Sequence, residues 1–439
     1  MTAISEKDKT VLRKLAEKKA QIAALPIQKQ RTQMWTCLNR LKPVKPMIYI
    51  NQVPWPQTGI EEHLETTDPF CRELELELRR ILYQWEHMPG DMVIEDKIYC
   101  PVLVKDTGFG IETHTKKANE SGNLQPAKAI EYGPAPGRNK MMDTSVGTVI
   151  SQHYEPVIKE EKDIEKIKTP HVTVNQELTK RNFQLMKNIF DGILTVQKQG
   201  APGFWFAPWD QLVEWWGVQE ALMDLALRPD MVKRAMTRLV DAGIARLEQY
   251  EKINALSLNN GNILIGSGGP GYTDELPRPD FNPEHVRTID MWGSSTAQIL
   301  SEVSPEMHQE FALEFENRWL KKFSLNYYGC CEPLHHKLHI LKNIPNLRKI
   351  SISPLADVEK AAAEIGDKYV ISYKPNPAIF AWDHWDADAA RRQLQNDLEK
   401  MKGCVVEVIM KDISTVHHQP QRLWQWAEMA RGVTEQFAL

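Results

Sequence analysis

The chain has 439 residues, 42% of them hydrophobic, with a net charge of −4 and a pI near 6.4. That is ample for a large core and shows no basic excess of the kind nucleic acid binding needs. The apolar runs at 46–50 and 404–410 fall far short of the roughly 18–20 residues of a membrane span. Met1 leads into a charged segment instead of an apolar signal core, and six cysteines, two of them adjacent, make no disulfide pattern, so the expected compartment is cytoplasmic.

The first forty residues read as helix. Leu12, Leu15, Ala16, Ala20 and Ile22 recur near a 3.6 period, and Pro26 marks a break. Residues 46–50 form a short apolar strand, and residues 70–86 a second helix with Leu74, Leu78, Ile81 and Leu82 on one face. Residues 90–165 carry Gly108, Gly110, Gly122, Gly133 and Gly137 among polar residues, with a β-like run at 102–104. This predicts an irregular or hairpin-rich excursion, of a length that usually serves function or forms a lid.

From about 175 the texture changes. Helical stretches at 175–199, 208–226 and 229–254, and later at 335–342, 358–365, 387–401 and 420–435, alternate with short apolar runs at 204–206, 263–266, 323–328, 349–353, 369–373 and 405–410. Alternation of short β and longer α predicts parallel strands with right-handed crossovers. No Gly-x-Gly-x-x-Gly follows the first strand, which favours a (β/α)8 TIM barrel over a dinucleotide-binding sheet. The expected organisation is a barrel over 166–439, with 1–165 a helical and irregular N-terminal extension packed on it that can supply the first strand near 46–50.

In such a barrel reactive groups gather past the C-terminal ends of the strands. Gly266 to Tyr272 is a glycine-rich loop, either a backbone approach to a ligand or a plain turn, and it lacks the Lys-Ser/Thr of a phosphate loop. The densest patch of reactive types is Gly329-Cys-Cys-Glu-Pro-Leu-His-His336. Pro333 suits a first helical position, and His335 and His339 fall four apart on one helical face. The patch reads as an acid/base cluster, as a metal site of Cys330, Cys331, Glu332 and His336, or as a cap with packed thiols; no standard zinc spacing is present. Lys374 and Asn376 follow the 369–373 strand as a cation beside a rigid turn. Glu407 lies among apolar neighbours on an interior face, so it is either perturbed for proton transfer or locked to a buried cation; Lys411 and Asp412 lie at the end of its strand. Of thirteen tryptophans, eight sit together, at Trp205, Trp209, Trp215 and Trp216, at Trp382 and Trp385, and at Trp424 and Trp426, serving either packing or a wall for a flat ligand.

The stretch from Glu155 to Ile167, the Asp290 and Ser304-Pro305-Glu306 region, and the strand ending at Tyr327–Cys331 resemble the uroporphyrinogen decarboxylase superfamily, from about residue 150 to the end. Within it the chain is more similar to the cobalamin-dependent methyltransferases. Residues 24–28 and 46–55 resemble the subgroup that includes the ether-cleaving methyltransferase component of anaerobic O-demethylases. Two departures qualify this. The arginine-rich motif that holds acidic porphyrins is replaced by Asn51-Gln-Val-Pro-Trp55. The His-x-Cys and later Cys of the zinc-bearing, thiol-methylating relatives become Tyr328, Cys330 and Tyr373-Lys374.

The resemblance therefore implies methyl transfer from an aryl methyl ether, a methoxylated aromatic, to the Co(I) corrinoid (cobalamin) of a partner protein. Tyr328, Lys374, His335 or His336 would protonate the departing oxygen, with Glu407 or Glu332 setting protonation. Trp205, Trp209, Tyr272, Tyr327, Cys330 and Asn376 would contact substrate. The alternatives are a decarboxylase or lyase on the same fold, a non-catalytic corrinoid-protein-binding subunit, and a zinc-dependent thiol methyltransferase. A homodimer is the default assembly.

Overall fold

The computed structural model describes residues 4–113, 115–117, 133–134 and 152–438; Gly122, Gly137 and the middle of the expected 90–165 excursion lie outside them. The chain opens with α1 (Glu6–Ala23), capped by Ser5, whose Oγ accepts from Asp8 N, and α2 (Pro26–Asn39), which Pro26 begins at its first position. α3 (Pro69–His87) starts where Asp68 accepts from the backbone of Phe70 and Cys71. Leu12, Leu15 and Ala16 of α1 bury against Leu74 and Leu78 of α3 in a cluster that Met186, Ile189 and Phe190 of α4 (Gln176–Phe190) complete. No helix of the described residues is long and apolar enough to cross a membrane.

Eight short parallel strands carry the architecture: β1 (Met47–Ile50), β2 (Lys97–Pro101), β3 (Thr195–Gln199), β4 (Trp292–Ser295), β5 (Leu325–Tyr328), β6 (Leu347–Ile352), β7 (Val370–Tyr373) and β8 (Val405–Met410). Six form one sheet in the order β1-β8-β7-β6-β5-β4, and β2 pairs with β3 separately. Between them run α5 (Pro208–Trp216), α6 (Val218–Leu227), α7 (Pro229–Lys252), α8 (Pro305–His308), α9 (Glu314–Leu320), α10 (Leu338–Leu341), α11 (Val358–Ile365) and α12 (Ala387–Lys400), with α13 (Gln421–Glu435) last. The parallel alternation is as predicted. A closed barrel is not shown: the ladder stops at β1 and at β4. Beyond β1 one backbone bond runs from Asp91 N to Ile48 O at 2.9 Å, and beyond β4 the Ser295 hydroxyl donates to Phe206 O at 2.9 Å.

Several expected boundaries move for identifiable reasons. The helix expected over 175–199 ends at Phe190. Gly192 turns the chain at φ 73°, and β-branched Thr195 and Val196 enter β3. The 208–226 helix divides at Gly217, φ 87°. Residues 204–206 form no strand; Phe206 instead stacks on Trp319 at 4.1 Å. Residues 263–266 form no strand; Leu264 makes a single antiparallel bridge to Pro270, and the chain turns between them, closed by Gly268 N to Ile265 O. The expected 335–342 helix is a 3-10 turn, Leu334–His336, followed by the single turn of α10, because Lys337 turns its ammonium inward onto the carbonyls of Leu300 and Ser301, at 2.6 and 3.0 Å. In the excursion, Leu103–Asp106 pairs antiparallel with Val172–Val174, and Thr115–Lys117 with Gln152–Tyr154.

Behind the sheet, a π turn at Gln309–Leu313 joins α8 to α9. It frees the Phe311 carbonyl, which accepts from the Trp209 indole at 2.9 Å. Beside it Tyr328 shares its hydroxyl with His308 Nε2 and Glu316 Oε2, both at 2.8 Å, and all three residues are buried. Burial, then the charges of Lys337 and His336, push the His308 imidazole down to about 3.

Two outcomes follow for stability. Trp209→Phe leaves the Phe311 carbonyl buried without its donor and should cost about 1–3 kcal/mol in denaturant unfolding. His308 stays neutral in the fold while it protonates in the unfolded chain below about 6.5, so the wild type loses stability as pH falls from there towards about 3. His308→Gln should flatten that part of the stability–pH curve in the difference between variant and wild type.

Candidate active site

The inward face of the sheet is polar at its centre. Register sets Met47 opposite Glu407 and Ser372 opposite Glu407, so alternation places Lys349, Ser351, Ser372, Glu407 and Tyr327 on that face. Glu407 is fully buried. One oxygen accepts from Lys349 Nζ at 2.8 Å, and the other from Ser372 Oγ at 2.6 Å and Gly269 N at 3.1 Å. The Lys349 ammonium lies 6.0 and 5.6 Å from the ring centroids of Trp35 and Trp292. Burial drives the Glu407 carboxyl upward, but the Lys349 and Lys374 charges outweigh it and leave it below the usual carboxylate range. Of the two readings open for Glu407, the geometry shows the carboxylate locked to a buried cation.

The glycine-rich loop has the close-approach character that its composition allowed. A Cβ at Gly268 would meet Glu407 Oε1 at 2.5 Å, and one at Gly269 would meet the Trp35 ring at 2.6 Å. What it approaches is the protein's own carboxylate. Ser267 Oγ meets Tyr327 Oη at 2.9 Å, while Tyr272 turns away, donating to Glu95 at 3.3 Å.

Above this layer the strand ends converge. Lys374, 1% exposed, donates to Tyr327 Oη at 2.7 Å and to Ser372 Oγ and O at 2.6 and 2.9 Å; burial brings it down to about 7. Cys330 and Cys331 place their sulfurs 3.5 Å apart, and Lys411 Nζ is 3.3 Å from each. The Cys330 thiol and the Lys411 charge lower the Cys331 thiol from its ordinary value against the opposing effect of burial, while the Cys331 thiol and burial push Cys330 up. Glu332 is buried, accepting from Cys330 N and Thr296 Oγ1, both at 2.8 Å.

One side of this edge is formed by the first turn of α5. Asp210 accepts from Gln298 Nε2 at 2.7 Å and from the indole of Trp205, which is 43% exposed. Burial, with the charges of Glu332 and Glu214 adding to it, raises the Asp210 carboxyl to about 6. Two further side chains are buried at the edge without partners: both amide atoms of Asn51, directly after β1, and the hydroxyl of Ser353, directly after β6. By alternation with Met47 and with Lys349 they lie on the inward face.

The structure thus gathers Tyr327, Cys330, Cys331, Glu332, Lys374 and Glu407 on the inward face and its C-terminal edge, with Trp205 at the rim. It sets others apart. Tyr328 points to the opposite face, into the His308–Glu316 cluster, because adjacent strand residues alternate. Trp209 is buried against the π turn. His335 and His336 lie against each other, ring centroids 5.0 Å apart, with His336 exposed. Asn376 is exposed and caps a 3-10 turn by accepting from Ala378 N. Asp210, Lys349, Asn51 and Ser353 were not singled out from the sequence. For Lys349 and Ser353 a signal existed, since Lys349-Ile-Ser351-Ile-Ser353 puts three polar side chains on one face.

The residues do not suit zinc. Among the described residues no three His, Cys, Asp or Glu side chains are placed to share a metal ion. The Lys411 ammonium already stands against both thiols where a cation would have to enter, and the Glu332 oxygens are taken by Cys330 N and Thr296.

No protein-family profile and no curated protein matches the chain. Among solved structures the chain is similar to a methyltransferase from Methanosarcina mazei, over 93% of this chain and 99% of that one, at 12% identity and a TM-score of 0.47. That likeness is too loose to carry either fold or chemistry.

Proposed function

We propose that the chain transfers the methyl group of an aryl methyl ether to the Co(I) corrinoid of a partner protein, releasing a phenol, on strands arranged as a (β/α)8 ring. The observation that carries this reading is Asp210 beside Trp205. A carboxyl that keeps its proton to about pH 6 is hydrogen-bonded by a half-exposed indole at the strand-end rim. Breaking an aryl ether needs a flat surface for the ring and a proton for the departing oxygen, and this pair offers both. The residue resemblances described above point to the same chemistry.

The corrinoid supplies the nucleophile when its carrier is docked. The chain's own residues bind and orient the ether, exclude water, and deliver the proton. Trp205 stacks the arene, Asp210 protonates the ether oxygen, and Lys374 and Lys411 hold positive charge at the strand ends while negative charge develops on that oxygen. Asn51 and Ser353 offer unsatisfied polar atoms for ring substituents. Trp205, Leu355 and Trp382, three of the large apolar side chains left exposed, follow the ends of β3, β6 and β7, which suits a partner covering that edge. Of the proton donors expected from the sequence, Lys374 keeps a part as a charge at the strand ends, and Tyr328 does not enter.

Anaerobic single-turnover mixing with Co(I) corrinoid and a panel of methoxyarenes, followed by cobalt absorbance and phenol release, tests the reading. Asp210→Asn should lower the rate by about 10²–10⁴-fold. The wild-type rate should fall as pH rises through about 6, where Asp210 loses its proton, and the variant should lack that limb. No transfer from any methyl donor would discard the proposal in favour of a lyase.

A further inference from the structure

Neither cysteine at the end of β5 takes part in the proposed transfer. The two are neighbours in sequence, their sulfurs are 3.5 Å apart, and they differ in access: Cys330 is 4% exposed, while Cys331 is exposed. Cys330 is fixed by both of its backbone groups, its N–H donating to Glu332 at 2.8 Å and its carbonyl accepting from Ser351 Oγ at 2.7 Å. Gly329, at φ 96°, turns the chain just before them, in a place where a Cβ would meet Leu334 at 2.6 Å. Lys411 donates to both sulfurs and so holds them on one side of the turn, and Asp412 Oδ2 lies 3.5 Å from Cys331 Sγ. A fixed, sheltered thiol thus lies within van der Waals contact of an open one.

We propose that Cys330 and Cys331 form a thiol–disulfide exchange site that takes low-molecular-weight disulfides. The anionic sulfur of Cys331 attacks one sulfur of R–S–S–R, forming a mixed disulfide and expelling one RS⁻. That anion takes the Cys330 proton. Cys330 Sγ then attacks Cys331 Sγ, a new S–S bond forms between the neighbours, and the second RS⁻ leaves to be protonated by the proton Cys331 had released. Two protein thiols are oxidised and one small disulfide is reduced to two thiols.

Closure brings the sulfurs from 3.5 Å to about 2.05 Å. Consecutive Cα atoms are fixed about 3.8 Å apart, under the usual disulfide range of about 4.4–6.8 Å, so the closed ring is strained and free thiols reopen it. The site is thereby reversible in character. It does not depend on the methyl-transfer reading.

The full chain treated with oxidised glutathione, then analysed by intact mass and non-reducing peptide mapping, tests this. The peptide holding both cysteines should lose two hydrogens, retain no glutathione, and recover its mass with dithiothreitol. Cys330→Ser should trap one glutathione on Cys331, and Cys331→Ser should leave Cys330 unmodified. A glutathione that persists on Cys331 in the wild type, or a peptide left unreacted while Cys37 or Cys404 is modified, would overturn the proposal.

Discussion

The ion pair between Lys349 and Glu407 is the constraint around which the interior is arranged. Taking two charges out of water is costly unless every remaining donor and acceptor is met. Meeting them here recruits residues far apart in the chain: Ser372 of β7, the backbone of Gly269, and the rings of Trp35 from α2 and Trp292 from β4. The loop can come close enough only because residues 268 and 269 lack side chains. The pair therefore couples the N-terminal helices, the glycine-rich loop and four parallel strands through one carboxylate.

That layer also sets the character of the edge above it. Ser372 passes the network from Glu407 to Lys374, and Tyr327 passes it on to Ser267. With these groups mutually satisfied, the centre of the sheet is a rigid floor, and the groups with free capacity stand at the rim: Asp210, the paired sulfurs, Asn51 and Ser353. Rigid support below and unsatisfied atoms above is the arrangement that positions a small substrate without reorganisation.

The helix starts expected at 208, 229, 358 and 387 fall where expected, at a proline in the first turn for Pro208 and Pro229 and after an Asp cap for Val358 and Ala387. β8 was legible to the residue as an apolar run around one carboxylate. β4 escaped because Trp292-Gly-Ser-Ser295 shows neither alternation nor β-branching. It is a strand because Gly293 fits against Phe323 and its two serines serve the sheet margin. The site was half legible. Glu407 stood out, but its partner lies on another strand, and no local pattern announces a pairing. Tyr327 and Tyr328 are chemically alike, so only the register of β5 decides which faces inward. Asp210 is an ordinary first-turn carboxylate until burial and its neighbours retune it.

β1 lies beside β8, so Met47–Ile50 is hydrogen-bonded to residues some 360 positions further along, and Gln52 is likewise bonded to Asp412. During synthesis, β1 has no strand to pair with until residues 407–410 follow some 360 positions later. Contacts of such sequence separation slow folding, because loop closure must precede any gain from pairing. The helices α1, α2 and α3 can meanwhile shelter their own apolar faces against one another, leaving the edge of β1 to wait for β8.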